Sequence, residues 1–270
     1  MMTRADAAAR GRVRVGGIDF DVLTAAQVIT RVADAISRGQ GGTIVTPNVD
    51  ICRRASRDQV SRDLVAAGSI VVPDGMPLIW AARLAGQRLP ERITGADLIF
   101  SLSEAAAAMS WPVYLLGGLP GEGDLPGTAE LAARNLSKRY LGLRLSGAYS
   151  PPASFDAAAA DIEWLRDELA TMQPSIVFVG LGFPKQEQLI ARLAGGLPRA
   201  WFVGCGAAIP FAAGTINRAP AWMQRAGLEW VYRLSSEPRR LARRYLLHDL
   251  PFAARLLAVS ALHREQPTEG

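Results

Sequence analysis

The amino-acid sequence predicts an α/β fold: a doubly wound, mainly parallel sheet with helices on both faces, followed by a helical C-terminal appendage. Three observations predict it. Short β-branched runs bounded by Gly, Pro or Asn alternate with longer segments of helical spacing, the pattern of repeated strand-helix units. The runs are nearly continuous in apolar residues, as expected of parallel strands covered on both faces. From about Ala219 the strands stop, and the chain reads as consecutive helices holding most of the excess positive charge.

Residues 1–12 read as a loose Ala/Arg leader without the apolar stretch of a secretory signal. Segments 13–15 and 18–22 predict a small ribbon. A helix is expected over 24–37, then strands over 43–46 and 69–72, and a helix over 96–108 with Thr94 and Asp97 at the spacing of a cap and its acidic third position. There follow a strand at 112–117, helices at 127–140 and 156–172, a strand at 175–180, a helix at 185–194 and a strand at 200–205. These place an α/β core at 13–218 and a basic helical appendage at 219–270. Within the appendage Ser235, Ser236 and Glu237 before Pro238 form a helix-start signature. Beyond it Arg239/Arg243 and Arg240/Arg244 are i,i+4 pairs, with Leu241, Tyr245 and Leu246 as the apolar surface between them. Such an amphipathic cationic helix suits either a membrane interface or a solvated face.

With 49% hydrophobic and 20% charged residues in a chain of 270, disorder is excluded, and one large domain or two modest ones can form. The net charge of +5 is carried almost wholly by arginine, since Lys138 and Lys185 are the only lysines. From Arg218 to Arg264 the chain holds +6, which leaves −1 for the remainder. A cationic tail on a near-neutral body predicts an anionic partner for the tail: nucleic acid, a phosphorylated ligand or lipid headgroups. Cys52 and Cys205 lie far apart with no paired spacing, which argues against a disulfide framework and a structural zinc site. Both histidines, His248 and His263, fall in the tail, so imidazole chemistry in the core is not expected. No uninterrupted apolar run approaches the ~18 residues of a spanning helix. The chain is therefore expected to be soluble or peripheral, in a reducing cytosol.

In an open parallel sheet the reactive crevice lies beyond the carboxyl ends of the strands, and the unusual residues fall there. Five strand ends lead into Pro47-Asn48, Pro73-Asp74-Gly75, Gly117-Gly118, Gly180-Leu181-Gly182-Phe183-Pro184-Lys185-Gln186-Glu187 and Gly204-Cys205-Gly206. All five are expected to share one mouth. Asp74 at such an end is placed to accept a proton from a hydroxyl, although Pro-Asp-Gly is also an ordinary turn. Arg92 suits a phosphate or a bridge to a neighbouring acid. Gly182 lets the backbone approach a ligand, the helix start at Pro184 offers N–H groups to phosphate, and Gln186 offers an amide. Gly117 and Gly118 fit either close approach to a ligand or a tight turn. The full dinucleotide fingerprint and the phosphate loop ending in Lys-Ser/Thr are both missing. Asp19 and Asp21 sit in the ribbon without further oxygen donors, so no metal and no other cofactor is expected.

Thr46-Pro47-Asn48, Pro73-Asp74-Gly75, Glu91-Arg92-Ile93-Thr94-Gly95, the Gly180-to-Glu187 segment and Arg218-Ala219-Pro220 through Gly227-Leu228-Glu229-Trp230-Val231-Tyr232-Arg233-Leu234 occur in this order. In this the sequence resembles the bacterial WecG/TagA/CpsF glycosyltransferases, over about residues 13–245. The resemblance implies a Rossmann-like core and metal-independent, inverting transfer of a sugar from a UDP-sugar donor to a polyprenyl-diphosphate-linked acceptor on the cytoplasmic face of the membrane. It implies Asp74 as general base, Thr46 and Asn48 as pocket residues, Arg92 on the phosphate side and Gln186 at the nucleotide. It further implies that the appendage folds over the pocket, touches the anionic membrane surface and supplies Arg233, Arg240 and Arg243. One departure is Ile209-Pro210-Phe211-Ala212-Ala213-Gly214, where family members usually carry Phe-Asp-Phe. The donor sugar is left open among N-acetylmannosamine, its uronic acid and glucose, and the oligomeric state is left open too.

Two rival readings come from other classes. A nucleotide-dependent oxidoreductase requires the missing fingerprint. A nucleic-acid-binding protein would use the arginine tail with Trp222, Trp230, Tyr232 and Tyr245 as stacking platforms, but the near-neutral body offers no long basic groove, so no nucleic-acid partner is expected.

Overall fold

A computed structural model of the protein describes residues 11–152, 154–155 and 161–262, with the backbone alone at Asp161, Arg225 and Arg240. β1 (Arg12–Val15) and β2 (Ile18–Asp21) form the expected ribbon, antiparallel, with Val13 opposite Phe20. The main sheet comprises β3 (Gly42–Val45), β4 (Ile70–Val71), β5 (Val113–Gly117), β6 (Leu145–Tyr149), β7 (Ile176–Gly180) and β8 (Trp201–Gly204). All its pairings are parallel, in the order β4-β3-β8-β7-β5-β6. Around it lie α1 (Ala25–Ser37), α2 (Val49–Ala55), α3 (Gln59–Ala66), α4 (Met76–Leu84), α5 (Gly95–Met109), α6 (Thr128–Arg139), α7 (Asp161–Met172), α8 (Lys185–Ala194) and α9 (Ala208–Ala213). The appendage contributes α10 (Ala221–Arg225), α11 (Glu229–Ser236), α12 (Pro238–Arg244), a π-helical turn (Tyr245–Asp249) and α13 (Leu250–Leu262). Residues 156–160 of the helix expected at 156–172 and residues 1–10 of the leader lie outside the described part.

The central strands are apolar without a break because alternate residues serve two cores. Val113, Leu115, Ile176, Phe178, Trp201 and Val203 are buried with residues of α1, α5, α6 and α9. Tyr114, Leu116, Val177, Val179 and Phe202 are buried on the other face with Leu165, Leu169, Leu189 and Leu193 of α7 and α8. A third cluster joins the ribbon, α2 and α4 to Leu256 of α13.

The sequence shows no β-branched run at β6, and that strand was not expected. It is an edge strand, and its small residues answer to its neighbour: a Cβ on Gly147 would lie 2.4 Å from the Tyr114 ring. The short helices α2, α3, α4 and α9 were likewise not expected, because segments of six to nine residues give too few turns for an apolar period to declare itself. Local chemistry nonetheless starts several helices. Thr24 and Gln27 exchange the two hydrogen bonds of a capping box on α1, and Thr94 Oγ1 accepts from Asp97 N at 2.9 Å on α5.

At the opposite edge, Asp21 Oδ2 accepts from Val71 N of β4 at 2.8 Å, while Arg12 holds the same carboxylate with two nitrogens. The ribbon thus blunts an open strand edge with a charged side chain. This is the work Asp21 does in the folded chain.

The appendage is packed onto the core. Leu241, Tyr245, Ala253 and Leu256 are buried, whereas Leu246, Leu247 and Leu250 are 48%, 65% and 41% exposed. The continuous helical run Leu241–Leu262, 22 residues containing an 18-residue window of mean hydropathy 1.2, passes the length and composition test for crossing a membrane. The expectation that no uninterrupted apolar run approaches that length still stands, because Arg243, Arg244, Asp249 and Arg255 interrupt the apolar residues without breaking the helix.

Candidate active site

Parallel pairing brings the ends of β3 and β4 side by side, and the pairing continues past the strands. Val72 N donates to Val45 O at 3.1 Å, Asp74 N to Pro47 O at 2.9 Å, and Ile93 N to Pro73 O at 2.9 Å. The backbone at Asp74 is therefore fixed from both sides, just ahead of α4. The side chain of Asn48 accepts from Ile51 N at 3.1 Å as the cap of α2. Asn48, Asp74, Arg92 and Thr94 line one cavity of about 200 Å³, together with Cys205 and Ala207 after β8. The core adds Asp50, Met76 and Phe211 among others, and the appendage contributes Glu229, Trp230, Arg233, Arg244, Tyr245, Asp249 and Leu250. This volume is below the ~300–1,000 Å³ of typical small-molecule sites, and α11, α12 and α13 all contribute to its wall.

The electrostatics centre on Asp74. Burial pushes its carboxyl up from 3.8 to about 7; Arg92 and Arg233 pull down, while Glu229 and Asp97 push further up. A carboxyl poised near neutrality is what a general base requires. Arg92 donates to Glu229 at 3.1 Å, and Arg218 donates to both Glu229 at 3.2 Å and Asp97 at 2.7 Å. Of the two alternatives open in the sequence at Arg92, the structure shows the bridge to an acid, and the side chain also lines the cavity. That acid belongs to the appendage, which thus reaches back to hold Arg92.

The five strand ends do not share one mouth equally. Residues after β3, β4 and β8 line the cavity, and those after β5 and β7 do not. Gly117 and Gly118 make a tight turn: a Cβ on Gly117 would sit 2.5 Å from Gly180 O, and one on Gly118 2.4 Å from Thr128 Cβ. Thr46 is buried, 3.4 Å from Gly204 O, and lies outside the lining. Gln186 is also buried. Its Oε1 accepts from Gly182 N and Gly206 N, both at 3.1 Å, and its Nε2 donates to Glu187 at 2.8 Å. The amide clamps two glycine loops instead of facing the cavity. Gln186→Ala, which strands two backbone donors, is expected to cost about 1–3 kcal/mol of stability, read as a lower urea midpoint. Unchanged stability with weakened donor binding would instead place the amide on the nucleotide.

Among the appendage arginines, Arg233 lines the cavity, Arg243 is exposed, and the side chain of Arg240 lies outside the described residues. Arg244, one position along, is the arginine of that helix end that lines the cavity. Glu229 and Arg244 are the residues that sequence reasoning did not single out. The available signal for Glu229 was its place as one of three acids in a +6 segment; for Arg244, two overlapping i,i+4 pairs gave no register. Pro210 lies in the first turn of α9, outside the lining, and its neighbour Phe211 faces the cavity. Among the described residues no group of three His, Cys, Asp or Glu side chains is arranged to hold a metal ion.

The sequence model of the family described as "Glycosyl transferase WecG/TagA/CpsF family" matches residues 13–266. The chain is 30% identical over 203 residues, 75% of each protein, to the N-acetylglucosaminyldiphosphoundecaprenol N-acetyl-beta-D-mannosaminyltransferase of Bacillus subtilis (strain 168). It is 28% identical over 249 residues, 90% of this chain and 91% of the relative, to the protein of the same name in Staphylococcus aureus (strain MRSA252).

Proposed function

Since this chain belongs to the WecG/TagA/CpsF family of glycosyl transferases, we propose that it moves an N-acetylmannosamine-type sugar from a UDP-sugar to a polyprenyl-diphosphate-linked saccharide, with inversion and without a metal, in bacterial cell-surface polysaccharide synthesis. The observation that carries this reading is Asp74, raised to about 7 beside Arg92 and Arg233 in a cavity roofed by the appendage. The names of the relatives favour N-acetylmannosamine over its uronic acid or glucose. As a glycosyltransferase the chain has no use for the oxidoreductase or nucleic-acid readings.

In this mechanism Asp74 takes the proton of the acceptor hydroxyl as that oxygen attacks the anomeric carbon. The bond from that carbon to the diphosphate oxygen breaks on the opposite face of the sugar. The electron pair leaves on UDP, whose charge Arg92 and Arg233 meet. Apart from Asp74, the acids around the cavity pair with arginines: Asp97 with Arg218, Glu229 with Arg92 and Arg218, Asp50 with Arg53 and Arg54, and Asp249 with Arg244. This leaves cation chemistry to guanidinium groups. The small cavity implies that the appendage shifts to admit substrates, and the exposed leucines of Leu246, Leu247 and Leu250 suit contact with the inner face of the membrane.

The test is a panel of UDP-sugars with an N-acetylglucosaminyl diphosphate lipid in liposomes. Transfer from UDP-N-acetylmannosamine, insensitive to a chelator and giving a product of inverted anomeric configuration, is expected. Absence of transfer from every UDP-sugar would overturn the reading.

A further inference from the structure

The appendage side of the cavity carries a second charged cluster that the mechanism above does not use. Asp50 of α2 pairs with Arg53 and Arg54 and lies 3.7 Å from Arg244 Nε. Arg244 Nε is also 3.2 Å from Asp249 Oδ2, and Arg53 Nε is 3.6 Å from Asp249 Oδ1. Asp50, Arg53, Asp249 and Arg244 thus close a ring between the core and the appendage. Asp50, Asp249 and Arg244 line the cavity, and the two aspartates are only 5% and 8% exposed. The ring is incompletely bonded: Asp249 Oδ1 and Arg53 Nε are buried without a hydrogen-bond partner. A buried ion cluster short of partners is costly to keep dry, and a diphosphate is an anion that would take the arginines with better geometry.

The reaction proposed above involves two diphosphates, and the Asp74 end of the cavity already offers Arg92 and Arg233 to one of them. Three features point the Arg244 end toward the other. Leu250 lines the cavity and is 41% exposed, which makes it the rim, and Leu246 and Leu247 continue an apolar surface outside it. Trp230, which follows Glu229, and Tyr245, which follows Arg244, meet edge to face at 6.2 Å in the cavity wall, a surface suited to the apolar face of a sugar. An apolar rim, an arginine, an aromatic wall and a base are together the chemistry that a prenyl chain, its diphosphate, its sugar and the reacting hydroxyl require.

Resting on the glycosyltransferase reading, we propose that Arg244 binds the diphosphate of the lipid-linked acceptor, and that Asp50 and Asp249 hold its guanidinium until the acceptor displaces them. The aspartates are placeholders, so the ring predicts opposite effects from its two sides. Arg244→Ala is expected to weaken acceptor binding roughly 10–100-fold, the value of a charge-assisted hydrogen-bond set, with Arg244→Lys in between. Asp249→Asn is expected to strengthen it.

Two measurements on the full chain test this. Calorimetric titration with farnesyl diphosphate needs no turnover. Steady-state transfer to farnesyl-diphosphate-linked N-acetylglucosamine gives separate KM values for acceptor and UDP-sugar. The expected result is a shift in farnesyl diphosphate affinity and acceptor KM with UDP-sugar KM unchanged, in opposite directions for Arg244→Ala and Asp249→Asn. Wild-type affinity in Arg244→Ala, a shift in donor KM instead, or equal weakening in both variants would overturn the proposal; the last would make the ring a structural brace. Failure of wild-type transfer with Arg244-dependent binding intact would sink the reaction and leave the diphosphate site standing.

Discussion

Replacing Asp74 by Asn is expected to lower transfer by about 10²–10⁴-fold, the range for loss of a general base, while donor binding is kept. The isosteric amide preserves shape and cannot take the acceptor proton. In the wild type the base form accumulates as pH rises through about 7, so kcat/KM should climb with pH and level off above that value. The Asn variant should lose the slope. Stability moves the other way. The fold holds this carboxyl at about 7 against an ordinary 3.8, so between these values the native state binds more protons than the unfolded chain, and stability falls as pH rises. Asp74→Asn escapes that loss. Its Tm should exceed that of the wild type at pH 8, with the gap narrowing as pH falls toward 4. Equal turnover in the two proteins would remove Asp74 as base, and a lower Tm for the variant at pH 8 would contradict a carboxylate held at the expense of stability.

Ending the chain at Gly227 is expected to bring transfer to background while leaving the α/β body folded. The truncation removes Glu229, Arg233 and Arg244 from the cavity wall and opens its roof. The two clusters on the faces of the sheet contain no residue beyond Ala213, so far-UV circular dichroism should keep its α/β character. The third cluster loses Leu256, which should cost about 2–5 kcal/mol, as for emptying a buried leucine site. With Glu229 gone and water admitted, the Asp74 carboxyl should also fall back toward the ordinary range. Full transfer by the truncated protein would show that the appendage is no part of the site.

The sheet was legible where physical constraints act along the chain. A strand covered on both faces must be apolar throughout, and β3, β5, β7 and β8 declare themselves this way. A helix of ten or more residues shows a buried stripe, as α1, α5 and α8 do, and α1 and α5 carry a capping threonine as well. β6 was not legible, because what Leu145-Ser146-Gly147-Ala148-Tyr149 must satisfy is the Tyr114 ring on the next strand. The same holds for the site. Asp74 and Asn48 stand out because strand ends in a parallel sheet converge, and Arg92 for a guanidinium placed just ahead of a helix. Gln186 stood out for its motif, and only the fold shows its amide spent on Gly182 and Gly206.

By itself the sequence determined the α/β class, the core strands, the cationic tail and the acid at the end of β4, since each rests on periodicity, composition or the residue types of a local motif. The tertiary structure alone decided that Glu229 holds Arg92, that Arg244 faces the cavity while Arg243 faces outward, and that three of the five strand ends line it. Those outcomes depend on which surfaces meet across more than a hundred residues of chain and on the rotation of a helix about its axis. A basic helix whose arginines lie on several faces leaves that rotation open until Leu241 and Tyr245 find their places in the core.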